Sequence, residues 1–309
     1  MTARGERGFA LVAVLLVLAL IGIAGAEFAY SMRLEATAVR AWKEEIAATH
    51  LAEAAVEQAV REIAADFAYV LLAEDGELTF FNRERAPLVR LPRTEVALGG
   101  GHFSYRLTDE EARLNLNAAP PERLDRLLQL LQLDKRSRDV ILDSLQDWRD
   151  PNEEHRVNGA ESEDYYLKLP VPYRSHNANL ESVNELLQIR GVTPALFNGA
   201  EGRPGLVDFV TVKTGGQVNL NTAGPMILRS LGLSDAEISD IEQSRREGPY
   251  LAVPGRFGGR GVTVSSRTFR VEAQGLIEKR VRARLTAIVQ KRADGGLPAV
   301  AILEWSGLR

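Results

Sequence analysis

The chain contains no cysteine, so no disulfide can staple it, and packing or a bound metal must do that work in an exported domain. It has no excess of positive charge: 38 Lys and Arg stand against 42 Asp and Glu, for a formal net charge of -4. That balance argues against a protein built mainly to hold nucleic acid. No nucleophile elbow, glycine-rich phosphate loop or ordered triad frames its serines, histidines and carboxylates, and the chain is not read as an enzyme. His155 and His176 have no cysteine near them, which disfavours zinc. Proline is missing from Phe9 to Val70, and charge is missing from Phe9 to Ala26.

The uncharged run Phe9 to Ala26, at about 1.5 Å per residue in a helix, comes within a turn or so of crossing a hydrocarbon core of roughly 30 Å. A secretory signal peptide would have a shorter apolar region, then a small-residue cleavage site and a break. Here the helical spacing continues through Ile46, Leu51, Ala55, Ala59, Ile63 and Phe67, with charges between them. The pattern predicts one helix, apolar first and amphipathic afterwards, over residues 9–70. Arg4 and Arg7 precede the run and favour a cytoplasmic N-terminus, which leaves the bulk of the chain outside the inner membrane.

The junction Arg7-Gly8-Phe9 followed by this helix resembles the type IV pilin and pseudopilin family. The resemblance implies cleavage between Gly8 and Phe9 by a prepilin peptidase and N-methylation of Phe9. The family usually has a glutamate at the fifth mature position, opposite the N-terminal amine of a neighbouring subunit; here that position is Ala13. Either the chain does not form a fibre, or it is a subunit with no partner ahead of it. A carboxylate left unpaired in lipid is costly, so a subunit at the tip is expected to lose it. The K-type minor pseudopilins of type II secretion have this character.

Beyond the helix, Glu77 to Phe81 and Val96 to Leu107 read as strands around a loop marked by Pro87, Pro92 and Gly99-Gly100-Gly101. Strands return at Thr268 to Ala273, Arg280 to Lys291 and Ala299 to Trp305, with turns expected near Gly275 and at Asp294-Gly295-Gly296. The stretch between the two strand groups reads as helices. The expected architecture is α+β: a pilin-like helix on an antiparallel sheet, interrupted by an all-α insertion. The expected divisions are leader 1–8, helix 9–70, sheet segments 71–112 and 251–309, and the insertion 113–250. The K-type resemblance covers nearly the whole chain.

The insertion contains a near-repeat. Arg113-Leu-Asn-Leu-Asn-Ala-Ala-Pro is echoed by Gln217-Val-Asn-Leu-Asn-Thr-Ala-Gly-Pro, each before a leucine-rich helix, with the asparagines expected to cap the helix start. The second copy resembles helix-hairpin-helix (SAM-like) DNA-binding modules, but Asp235, Glu237 and Asp240 stand where a phosphate would approach. Ile189-Arg190-Gly191-Val192, after a helix expected over 180–187, is either a third hairpin or a helix stopped by glycine.

Asp150, Asn152 and Glu154 alternate as in a calcium loop, and Asp147 lies one helical turn earlier. The glycine and terminal glutamate spacing is not that of an EF-hand, and the same acidic run also suits a solvated connector. A loop of this length without cysteines needs something to hold it, and a metal is the natural staple. Asp-Trp-x-Asp, then Gly159-Ala-Glu-x-x-Asp-Tyr-Tyr, then Pro172-Tyr-Arg and Asn177 to Asn179 resemble the K-type pseudopilins, whose inserted domain binds calcium. By that resemblance the ligands are Asp147, Asp150, Asn152 or Glu154, Glu161 and Asp164.

The resemblance implies a minor pseudopilin, single-pass in the inner membrane with its C-terminal domain in the periplasm. It would cap the type II secretion pseudopilus, help nucleate it and support export of folded proteins across the outer membrane. The implied partners are the I- and J-type minor pseudopilins and the major pseudopilin, met by the helix around Met32 to Val39, with no nucleic acid. A type IV pilus minor pilin and a helix-hairpin-helix DNA-binding membrane protein are the alternatives.

Overall fold

The computed structural model describes residues 6–294 and 297–308. Arg4, most of the expected leader, and Gly295-Gly296 of the expected turn lie outside the described residues. Helix α1 runs from Glu6 to Ala64. It ends sooner than the spacing predicts, because Phe67 leaves the helical path to stack on the sheet core. Its ring centroid lies 4.6 Å from that of Phe80 and 5.9 Å from that of Phe269. The chain then forms an antiparallel hairpin of β1 (Tyr69–Leu72) and β2 (Leu78–Phe81).

Strands β3 (Val96–Leu98) and β4 (Gly101–Asp109) pair through the turn Gly99-Gly100. After β4 the chain leaves the sheet through β5 (Leu114–Asn115), α2 (Pro121–Leu130), α3 (Lys135–Arg149) and α4 (Pro194–Asn198). It continues through β6 (Val210–Thr211), β7 (Val218–Asn219), α5 (Pro225–Ser230), α6 (Asp235–Glu247) and β8 (Val262–Thr263). Strands β9 (Thr268–Ile277), β10 (Arg280–Asp294) and β11 (Leu297–Leu308) complete the main sheet, whose order is β11-β10-β9-β4-β3, antiparallel throughout. The excursion is mainly helical but also holds two short parallel pairs, β5 with β6 and β7 with β8, which the helical reading does not contain.

Helix α1 lies on the sheet through small residues. Ala48, Ala52, Ala55 and Ala59 are buried, with Leu51, Val56 and Ile63 beside them. They meet Phe103, Tyr105 and Leu107 of β4, Phe269, Val271 and Ala273 of β9, and Leu285, Ala287 and Val289 of β10, every second residue of each strand. Ile46 is exposed: Glu44 and Ala48, two residues to either side, meet β10 and β9, which puts Ile46 on the opposite face of the helix. Gly275 sits within β9, three residues before the turn, and a Cβ there would strike the Ala48 carbonyl. The β9–β10 turn is Glu278-Lys279, both at positive φ (50° and 60°), the type I′ geometry usually given to Asn-Gly.

A buried ion pair locks the helix to the β2 side. Arg93 Nη2 lies 2.7 Å from Glu62 Oε1, Nη1 donates to Glu77 Oε2 at 2.8 Å, and Tyr105 donates its hydroxyl to Glu62 Oε2 at 3.0 Å. Burial, and then the Glu62 charge, push the Tyr105 phenol up to about 12.

The excursion has its own core, including Leu127, Leu128, Ile141, Trp148, Tyr166, Leu186 and Phe257, separate from the helix–sheet core. The near-repeat is a structural duplication. The Asn115 side chain accepts from the Asn117 amide at 2.7 Å, and that of Asn219 from the Asn221 amide at 2.8 Å. These are local Asx turns, not the helix caps expected; α2 and α5 begin at Pro120 and Gly224 without a side-chain cap. Asn117 bonds both backbone groups of Leu180, and Asn221 both of Tyr250. Arg149 caps the carbonyls of Leu116 and Asn117, and Arg245 those of Leu220 and Ala223. Gln132 (φ 65°) and Gly232 (φ 84°) turn the two hairpins. The segment expected to be helical over 180–187 is a 3-10 turn, Val183–Gln188, opened by a Ser182–Glu185 capping box.

The seam between excursion and sheet is polar. Asp109, Glu110 and Glu111 are consecutive and all buried. Glu110 meets Arg270 Nε at 2.9 Å and Arg113 Nη1 at 3.3 Å, and accepts from the Thr211 hydroxyl. Asp109 accepts from the Thr222 and Ser266 hydroxyls and from Asn219 Nδ2. Glu111 accepts from the backbone amides of Thr268 and Arg267. Burial, and then the adjacent Asp109 charge, push the Glu111 carboxyl up to about 9.

Candidate assembly surface and acidic pocket

Among the described residues, one helix is long and apolar enough to cross a membrane, α1 from Phe9. Its side chains from Phe9 to Ile23 are all exposed, so nothing among the described residues covers them. Where α1 descends onto the sheet, a groove of about 900 Å³ opens between the helix, the β3–β4 turn and the end of β9. Met32, Ala36, Val39, Leu98 and Ile277 give it apolar walls, and Glu35, Arg40, Lys43, Glu44 and His50 also line it. Arg40 reaches Glu278 at 2.9 Å and Arg282 reaches Glu44 at 3.2 Å, which ties the helix to the β9–β10 turn.

The end of α1 marks the opposite end of the sheet. Gly101 and Gly275 lie near Leu51 and Ala48, whereas Phe269 meets Phe67 edge-to-face, past the helix terminus. The excursion leaves after Asp109 and returns at Thr268, two ends paired near Phe269. It therefore sits at the sheet end away from the apolar helix.

The acidic loop follows α3. Asp147, fully buried in the last turn of α3, accepts from the Arg156 backbone amide at 3.2 and 3.1 Å and from Arg156 Nη1 at 2.6 Å. Asp150, the residue ending α3, takes the same Nη1 on Oδ2 at 2.6 Å and Asn152 Nδ2 on Oδ1 at 2.7 Å. Asn152 Oδ1 accepts from the Glu154 amide at 2.8 Å, while the Glu154 residue itself is exposed. Glu161 is 1% exposed; its Oε2 accepts from Ser175 at 2.6 Å, and its Oε1 is buried without a hydrogen-bond partner. Asp164 faces His155 at 3.4 Å on the exposed side.

Four residues with no ligand role expected from the sequence take part, two of them, Gly159 and Asn177, from the motif itself. Arg156 bridges Asp147 and Asp150. Glu153 accepts from Asn177 Nδ2 at 3.0 Å, and Asn177 Oδ1 is buried without a partner. Gly159 has no room for a Cβ, because the Asp147 carboxylate lies against it. The Glu161 carboxyl is pushed up by burial, and the charges of Glu153, Asp147 and Asp150 add to the shift. Hydrogen bonding to Asp150 holds the Arg156 guanidinium above its ordinary range.

Among the described residues, no three Asp, Glu, His or Cys side chains converge tightly enough to ligate one ion in this arrangement. The donor set nevertheless suits a hard cation: the groups are oxygens, and two buried oxygens, Glu161 Oε1 and Asn177 Oδ1, have no donor. Leaving such an oxygen unpaired costs about 1–3 kcal/mol.

A long N-terminal helix, bare and apolar in its first part and packed through alanines on an antiparallel sheet in its second, defines a pilin-like fold. Comparison with known proteins narrows the class. The profile for Type II secretion system (T2SS), protein K matches residues 106–201. Type II secretion system protein K of Pseudomonas aeruginosa is 27% identical over 334 aligned positions, covering 96% of this chain and 92% of that one. The protein of the same name from Pectobacterium carotovorum is 26% identical over 121 positions, 34% of this chain and 37% of that one. In the crystal structure of the GspK-GspI-GspJ complex from the enterotoxigenic Escherichia coli type 2 secretion system, a chain matches with TM-score 0.60 and 19% identity, covering 90% of this chain and 99% of that chain. The chain is thus similar, over nearly its whole length, to the type II secretion system protein K family, the minor pseudopilins, a structural component of that machinery and not an enzyme family. Its N-terminal apolar helix and following domain fit a single-pass anchor.

Proposed function

We propose that the chain is the tip subunit of a periplasmic pseudopilus, helping to nucleate it and to export folded proteins across the outer membrane. The observation that carries this reading is the position of the excursion at the sheet end remote from the apolar helix. A body at that end leaves no seat for a further subunit, while the bare helix and the groove below remain open to subunits beneath. Ala13 supports it, since a subunit with no amine above it has no use for a carboxylate in lipid.

In this reading the prepilin peptidase cuts between Gly8 and Phe9, Phe9 is methylated, and the helix stays in the inner membrane with the rest in the periplasm. The I- and J-type minor pseudopilins pack along α1 and the Met32–Val39 groove, and the major pseudopilin follows below. The first two partners are supported by the solved relative, which was crystallised as a GspK-GspI-GspJ complex. Calcium is the ion for the acidic pocket, held by Asp147, Asp150 and Glu161 with Asn152, Glu154 or Asp164 from the loop. It would cross-link that loop and stabilise the fold.

The test is isolation of the full chain from detergent-solubilised membranes of its own host. Recovery with two smaller pilin-like proteins and an N-methylated Phe9 is expected, with the chain labelled at one end of the filament. Recovery alone, with residues 1–8 intact, would sink the reading.

A further inference from the structure

We infer that Arg156 is a built-in counter-ion of the acidic pocket, a cation supplied by the chain that must withdraw before a divalent ion can enter. The inference rests on the calcium reading of the same pocket and adds what controls its occupancy. One nitrogen, Nη1, lies 2.6 Å from both Asp147 Oδ1 and Asp150 Oδ2. Those are the two carboxylates that close α3, and an ion that used them would contend for the same oxygens. The Arg156 backbone amide also caps Asp147, so the loop is folded around the pair. Behind Asp147 the space is closed by Gly159, which admits no side chain and whose carbonyl is held by Arg190 Nη1 at 2.9 Å. The guanidinium and an ion therefore compete for one place.

The guanidinium is an incomplete occupant. It neutralises Asp147 and Asp150, yet Glu153 and Glu161 add two further negative charges near them. Glu161, only 1% exposed, keeps Oε1 without a donor, and so does the buried Oδ1 of Asn177. A planar donor reaches only the oxygens in its fork, whereas calcium gathers about 6–8 oxygens at loose angles. The Arg156 side chain is 38% exposed and has a route into water, where its own charge is well solvated. Because the arginine-filled state must be vacated first, the apparent ion affinity is lowered by the fraction of molecules in that state.

The experiment uses full-length protein in detergent micelles, with calcium chloride as the probe, read by titration calorimetry and by melting in EDTA or calcium. Arg156→Gln should bind calcium about tenfold or more tightly than the parent chain, melt lower in EDTA, and regain the difference when calcium is added. Arg156→Lys keeps a cation on a shorter side chain that reaches the two carboxylates less well, and should fall between the two; it serves if the glutamine variant does not fold. Calcium binding only in Arg156→Gln also supports the inference. Calcium binding to the parent that is unchanged or weakened in both variants overturns it and leaves the calcium reading standing. No binding to any of the three chains at millimolar calcium overturns both.

Discussion

Gly275 of β9 faces the carbonyl of Ala48 on α1, with no space between them for a Cβ. The helix approaches the sheet closely because both surfaces are small at that point, and the alanines above continue the same contact. Gly275→Ala is expected to force the helix outward and cost about 3 kcal/mol, at the upper end for overpacking. Thermal melting of the full chain in detergent measures it. An unchanged midpoint would mean that the helix is not seated there.

Arg93 holds Glu62 and Glu77 at once, with the Glu62 carboxylate buried under the helix. Arg93→Ala leaves that carboxylate with only the Tyr105 hydroxyl, and is expected to cost about 3–5 kcal/mol. Arg40→Ala removes the solvent-exposed pair with Glu278 and should change stability little. Denaturant unfolding of the two variants side by side separates buried from exposed pairing.

The Glu111 carboxyl has its folded pKa raised from 4.5 to about 9. The folded state therefore binds this proton more tightly than the unfolded chain does. The stabilisation is complete below pH 4.5 and is lost as the pH rises through about 9. Melting temperatures followed from pH 5 to 9 should fall in the parent chain and fall less steeply in Glu111→Gln, which keeps the shape without the ionisation. Parallel slopes would show that Glu111 is not the group responsible.

Arg245 is half-buried, donates to the carbonyls of Leu220 and Ala223, and has its guanidinium pushed down to about 10 by desolvation. Arg245→Met should cost about 2–3 kcal/mol through the carbonyls left unpaired. Arg149→Met, its counterpart in the first copy, should cost a similar amount, and the two losses should add if the copies are independent. Circular dichroism melts of the single and double variants decide this.

The long helix, the strands and the duplicated Asn-x-Asn segments were legible because each depends on spacing within a few residues. The alternation Val281 to Val289 marks β10 directly. Gly275 misled as a turn signal because its role is set by a helix more than two hundred residues earlier in the chain, a contact that local pattern does not encode. Glu278-Lys279 carries no turn signature, and the strands on either side impose its backbone. The acidic loop was visible as a run of carboxylates. What neutralises them was not, since Arg156 reads as one charge among many until the loop folds back onto Asp147. Arg149 and Arg245 were missed as equivalents because α2 is longer than α5 and the arginine also falls later along α3 than along α6, which shifts the two copies out of step.

Strands β4 and β9 are neighbours along eight paired positions, Asp109 with Phe269 at one limit, although the whole excursion lies between them in the chain. The backbone ladder of the sheet is thus closed on itself, and the excursion is joined to it through the side chains of the polar seam. An insert of another size between Asp109 and Thr268 would leave the β4–β9 ladder itself unbroken.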